Sequence, residues 1–200
     1  MTTSLWLIRH PEPESASAGR CYGSLDWLLS STGLEQAGAI AARLASEPLA
    51  AIYTSPRRRC VQAAEILAAG RSCAIEMLDA LRELDFGRWE GRTYDEIAEL
   101  HPALYRQWME HPTEVQFPGG ESFAAMRARV LAAAVNLRAR HAGESVALVT
   151  HGGVNRIILA DALHMDPAGI FRIAQHHGAL NLVRYFGETP LVELVNSHWP

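Results

Sequence analysis

The sequence predicts an α/β protein: a three-layer, doubly wound, mostly parallel sheet with helices on both faces and a small helical cap insert. Two observations carry this. The runs Leu5–Ile8, Ala50–Tyr53, Ala74–Leu78 and Val146–Val149 are apolar, continuous and too short for amphipathic helices, so they read as buried strands. Between them lie amphipathic stretches with helix punctuation, and such alternation builds a parallel sheet covered by helices. The 200 residues suit one domain, 1–200, with the cap insert at about 93–120.

Each element has a local cause. The first strand, "LWLI", must stop at Arg9-His10 because Pro11 has no N–H to extend a ladder. Ser30 can cap a helix running to about Glu47, with Pro48 as its stop. After the second strand, Ser55-Pro56 reads as an N-cap followed by proline at the first helical position. Cys60, Ala63, Ala64 and Leu67 would be the buried face of that helix. Thr93-Tyr94-Asp95-Glu96 fits a capping box. Pro102 to Gly120 mixes Trp, His, Pro and Gly and fits a helical cap over a site. From Glu121 to His141, Phe123, Met126, Val130, Ala134 and Leu137 recur at helical spacing, with arginines on the other side. Leu180–Phe186 and Leu191–Val195 flank "GETP" as two strands joined by a turn.

Composition narrows the function. Apolar residues are 48% and charged residues 20%, as in ordinary globular domains, and the net charge of −4 disfavours nucleic acid or an anionic membrane as partner. All 18 basic residues are arginine, which excludes a lysine nucleophile or Schiff base. Cys21, Cys60 and Cys73 are odd in number, lack ligand-like spacing and read as reduced thiols. No apolar run reaches membrane-span length and no signal-peptide plan opens the chain, so a cytoplasmic location is expected.

In open α/β sheets, ligands bind beyond the carboxyl ends of the strands. There "LWLIRH" delivers Arg9 and His10, "AAIYTSPRRR" delivers Ser55 and arginines, and "VALVTHGG" delivers His151. Guanidinium forks, imidazoles and free N–H groups at helix starts together suit a phosphate. Among the three consecutive arginines, Arg58 falls with Gln62 and Glu65 toward water, while Arg59 borders the buried face and can lean back to the crevice. His176 and His177 are adjacent, would point to opposite faces of a strand, and have no third ligand in sequence. No metal site is expected there, only a structural or rim role. Trp89, Tyr105, Trp108 and Phe117 could form an aromatic lid or pack in the core.

Five segments in order, "LIRHPEP", "TSPRRRCVQAAEIL", "LRELDFGRWEG", "PGGES" and "VTHGGV", resemble those of the histidine phosphatase superfamily. "GRCYGSLD", Gly19 to Asp26, followed by "LLSSTGLEQA", is most similar to its α-ribazole phosphatase branch, which acts in the cobalamin pathway. The resemblance implies a metal-free hydrolase of phosphate monoesters, needing no cofactor, with α-ribazole-5′-phosphate or a similar small phosphorylated metabolite as partner. Association as a homodimer is compatible with it. The resemblance makes His10 the nucleophile that becomes phosphohistidine, Glu83 the proton donor and His151 the second histidine at the phosphoryl group. Arg9 and Arg59 become the phosphate-binding arginines. Tyr22, Gly23, Ser55, Glu121, Ser122 and Gly152 are the further substrate-binding positions expected, Ser55 also reading as a plain cap.

Departures from the family pattern are Pro11, where a small residue is usual and a backbone N–H contact is lost, Ala16, where an asparagine is common, and Ala63 in place of threonine. Glu12 keeps the usual acidic position. Competing readings are a cofactor-dependent phosphoglycerate mutase, a broad-specificity sugar phosphate phosphatase and a phosphate-binding module without activity. The absence of lysine and the short chain disfavour the mutase.

Overall fold

The computed structural model describes residues 2–14 and 17–198; the Ala16 departure lies outside them. Its sheet has six strands: β1 (Thr2–Arg9), β2 (Leu49–Thr54), β3 (Ala74–Met77), β4 (Ser145–Thr150), β5 (Leu180–Phe186) and β6 (Thr189–Ser197). They run in the order β3-β2-β4-β1-β5-β6. The first four are mutually parallel. The last two form an antiparallel hairpin on the β1 edge, closed at Gly187-Glu188 with Gly187 at φ 62°.

Period-two alternation sorts each central strand between two cores. Leu5 and Leu7 face α5 (Phe123–Arg140) and α6 (Gly152–Ala162), and Trp6 and Ile8 face α1 (Ser31–Arg43) and α2 (Arg58–Ala68). The expected apolar seam of α5 is the observed one: Phe123, Met126, Val130, Ala134 and Leu137 are its buried residues. Ser30 caps α1 by accepting from the Gly33 N–H, and Thr93 and Glu96 form the capping box of α3 (Tyr94–Leu100). A short α4 (Pro102–Glu110) follows at once, and the two lie over the carboxyl ends of the strands.

Four local expectations are corrected. α1 ends at Arg43, because Leu44 is taken into the core and the chain turns back through Ala45 and Glu47. α2 begins at Arg58, with Arg57 as cap residue, so Ser55-Pro56 is a connection and Ser55 does not cap the helix. β3 stops at Met77 and is an edge strand with Ala74, Ile75 and Met77 exposed, because no strand lies beyond it. His176 and His177 sit in the turn before β5, not in a strand. No helix among the described residues is long and apolar enough to cross a membrane.

Candidate active site

Parallel pairing of β2, β4 and β1 aligns three strand ends: Arg9 lies beside Thr150, and Thr54 beside Val149. The residues that follow, His10, Ser55 and His151, therefore meet at one edge. All three side chains are buried beneath a cavity of about 210 Å³.

His10 is the centre. Its Nδ1 lies 2.8 Å from the Pro11 carbonyl, which can only accept, so the ring proton sits on Nδ1 and Nε2 carries the lone pair. The backbone carbonyl at position 11, which the proline departure leaves intact, thus selects the tautomer. Burial, followed by the charges of Arg59, His151, Arg9 and His177, holds the His10 pKa well below the ordinary imidazole value. The ring is neutral and able to attack.

Arg59 is completely buried, as its position on α2 implied, while Arg58 is exposed. Its Nη1 donates to the Leu25 carbonyl at 2.6 Å and its Nη2 to the Gly23 carbonyl at 2.9 Å, and the Tyr22 ring lies 5.1 Å below the guanidinium. Arg9 is held from behind, Nη1 donating to the Gln175 carbonyl at 2.6 Å and Nη2 to His177 Nε2 at 3.0 Å. Among the described residues, the buried Nε of each arginine has no partner.

His151 stands 5.2 Å from His10, ring centre to ring centre. Its Nε2 is 2.8 Å from Ser55 Oγ and its Nδ1 is 3.4 Å from Arg59 Nη2, an arrangement in which Nε2–H donates to the serine. Burial first, then Arg59 and Arg9, keeps it neutral too. Glu83 faces these groups from the turn after β3, its carboxylate accepting from the Leu84 N–H and the Gly153 N–H, both at 3.0 Å.

Arg9, His10, Tyr22, Arg59, Glu83 and His151 all line the cavity. The other expected positions do not. Ser55 lies behind His151 and orients it. The Gly23 N–H is taken by the Glu90 carboxylate and its carbonyl by Arg59. Glu121 is turned away into an ion pair with Arg129, and Ser122 is spent capping α5 on the Ala125 N–H. Gly152 is buried beside the cavity, and Gly153 is the glycine that reaches it.

Several contributors escaped sequence reasoning. Glu90 gathers the N–H groups of Gly23, Ser24 and Leu25 and so shapes the loop that seats Arg59. His177, expected only as a structural or rim residue, holds Arg9, and burial beside that arginine pushes its pKa down to about 3. Arg156 also lines the cavity, its Nε anchored to the Ile173 carbonyl at 2.8 Å. Its place three residues after Gly153, one turn along α6, was the signal available. The outer wall is aromatic and apolar: Tyr22, Phe86, Tyr94, Trp108, Phe171, Leu84 and Ile170. Of the four aromatics considered for a lid, Trp108 lines the cavity, Tyr105 packs beside it, and Trp89 and Phe117 are fully buried core. No three His, Cys, Asp or Glu residues among those described cluster as metal ligands would.

The chain is 36% identical over 162 residues to phosphoserine phosphatase 1 of Hydrogenobacter thermophilus, spanning 81% of this chain and 77% of that protein. The structure of Bacillus stearothermophilus YhfR superposes with a TM-score of 0.92 at 31% identity, over 99% of this chain and 98% of the other. The α-ribazole phosphatase from Shigella flexneri has the same fold, with a TM-score of 0.89 at 23% identity over 97% and 96% of the two chains. The family model for histidine phosphatase superfamily (branch 1) matches residues 5–198. With a neutral buried histidine between two anchored arginines and a carboxylate facing it, this chain belongs to the histidine phosphatase superfamily.

Proposed function

We propose that the protein hydrolyses a small phosphate monoester through a phosphohistidine at His10. The observation that supports this most is the pair of anchored guanidiniums, Arg9 and Arg59, lining the cavity beside a histidine whose tautomer leaves Nε2 free. Phosphoryl transfer asks mainly for positioning and for charge on the equatorial oxygens. Nε2 of His10 attacks phosphorus as the P–O ester bond breaks, and the Glu83 carboxyl gives its proton to the departing oxygen. Water then attacks the phosphohistidine, Glu83 takes its proton, the N–P bond breaks, and phosphate leaves. The arriving dianion raises the His151 pKa, which lets that imidazole gain a proton and donate to the phosphoryl group.

For the organic part of the substrate, the aromatic outer wall supports a leaving group that carries a flat apolar ring, as the nucleoside of α-ribazole-5′-phosphate does. Similarity to a phosphoserine phosphatase favours a second reading, and Arg156 could receive a carboxylate. Yet among the described residues lining the cavity Glu83 is the only acidic one, so they offer an ammonium no other carboxylate. Phosphate release should be measured on α-ribazole phosphate, phosphoserine, phosphoglycerates and sugar phosphates, with and without bisphosphoglycerate. The highest kcat/KM on α-ribazole phosphate is expected. Highest kcat/KM on phosphoserine would move the assignment to the second reading, and isomerisation without release would overturn the phosphatase.

A further inference from the structure

Arg129 lies on α5, outside the cavity, and takes no part in the chemistry described. Each N–H of its guanidinium is nevertheless engaged. Nε and Nη2 meet both oxygens of Glu121 at 2.8 and 2.7 Å, Nη1 donates to the carbonyls of Ala80 and Arg82 at 2.8 and 2.7 Å, and Nη2 donates to the carbonyl of Glu83 at 3.2 Å. Three carbonyls of one short turn thus converge on one cation. They would repel one another without it, since carbonyl dipoles aimed at a single point have like ends together.

The opposite side of this clamp is equally fixed. A Cβ at Gly120 would sit 2.3 Å from the Asp85 carbonyl oxygen, so the turn carrying Glu121 lies flat against the segment after Glu83. The Glu121 N–H also donates to that carbonyl, at 2.8 Å. An ion pair with side chains only 17% and 18% exposed gives up hydration for its attraction, so it is a weak source of stability. Its geometry is more telling, because every bond that is not to Glu121 goes to the turn bearing the proposed acid.

We propose that Arg129, oriented by Glu121, is a positioning residue that holds the Glu83 turn so that the carboxylate meets the leaving oxygen. This rests on the reading of Glu83 as proton donor. Two backbone N–H groups hold that carboxylate, and one of them, from Leu84, belongs to the same turn. A shift of the turn therefore carries Glu83 away from Gly153 and from the phosphoryl site. The loss falls on proton delivery and spares phosphate binding by Arg9 and Arg59.

The test is the first-turnover burst with an alkyl phosphate and with nitrophenyl phosphate, run on wild type, Glu83→Gln, Arg129→Met and Arg129→Lys. An alkoxide needs a proton as it leaves and a nitrophenolate does not. Arg129→Met should lose on the order of 10²-fold with the alkyl ester, the cost of misplacing a reacting group by about 1 Å. It should lose far less with nitrophenyl phosphate and keep its inhibition by inorganic phosphate, while Arg129→Lys should recover part of the loss. If Glu83→Gln itself loses both substrates equally, the proton-donor reading fails. If Glu83→Gln discriminates and Arg129→Met does not, the clamp fails. Should Arg129→Met not fold, Glu121→Gln and Arg129→Lys give the same ratio, and a wild-type ratio in both overturns the proposal.

Discussion

Gly153→Ala offers a perturbation whose size can be worked from the structure. A Cβ at Gly153 would lie 2.3 Å from Glu83 Oε1 and 3.2 Å from its Cδ, with Met126 Cε at 3.1 Å. Restoring an ordinary contact of 3.4 Å requires the carboxylate, which accepts from the Gly153 N–H, to move about 1 Å. A displacement of about 1 Å in a reacting group costs roughly 10²-fold in rate. The neighbouring glycine is the control. A Cβ at Gly152 meets Arg156 Nη1 at 3.0 Å and Arg9 Nε at 3.5 Å, and a few tenths of an ångström from the tip of Arg156 relieves that contact. Gly153→Ala should therefore lower the alkyl phosphate burst by about 10²-fold, Gly152→Ala by much less, and both should unfold near the wild-type Tm. Stopped reactions under single-turnover conditions, alongside thermal melts, measure the two quantities. A wild-type burst in Gly153→Ala, or equal losses in both variants, would refute the assignment of Glu83.

Three further outcomes are expected. His10→Ala should fold and lose turnover, and acid-labile phosphate trapped from substrate should map to His10; label on His151 would reverse the assignment. Arg59→Ala should lose about 10²–10³ in turnover, the effect of removing one oriented donor, while Arg58→Ala should be nearly silent because that side chain is exposed. The free enzyme should lose stability in acid. His10, His151 and His177 all have folded pKa values below the unfolded one of about 6.5, so the stability of their neutral forms is complete above that pH and lost as pH falls below it toward the folded values. Each contributes about 1.4 kcal/mol per pH unit inside its window, and denaturant midpoints that stay flat from about pH 7 to 5 would contradict the buried neutral imidazoles.

What the sequence by itself determined was whatever repeats locally or ends a strand. Alternation in β1, the seam of α5 and the caps at Ser30 and Thr93 follow from backbone period and nearby donors. Arg9, His10 and His151 are legible because a strand must stop where its pattern breaks, and Arg59 because a helix has only one face toward the sheet. Tertiary structure alone decided which oxygen or nitrogen each polar group meets. Glu121 follows a glycine pair like a rim residue, yet the guanidinium of Arg129, eight residues on, turns it away from the cavity. Ser55 precedes a proline like a cap, yet parallel pairing of β2 and β4 sets it behind His151, 96 residues away. Gly23 looks free until Glu90 takes its N–H from 67 residues on. Such choices belong to partners distant in the chain, because a buried donor or acceptor must be matched by whatever the packed fold brings to it, and local spacing carries no record of that partner.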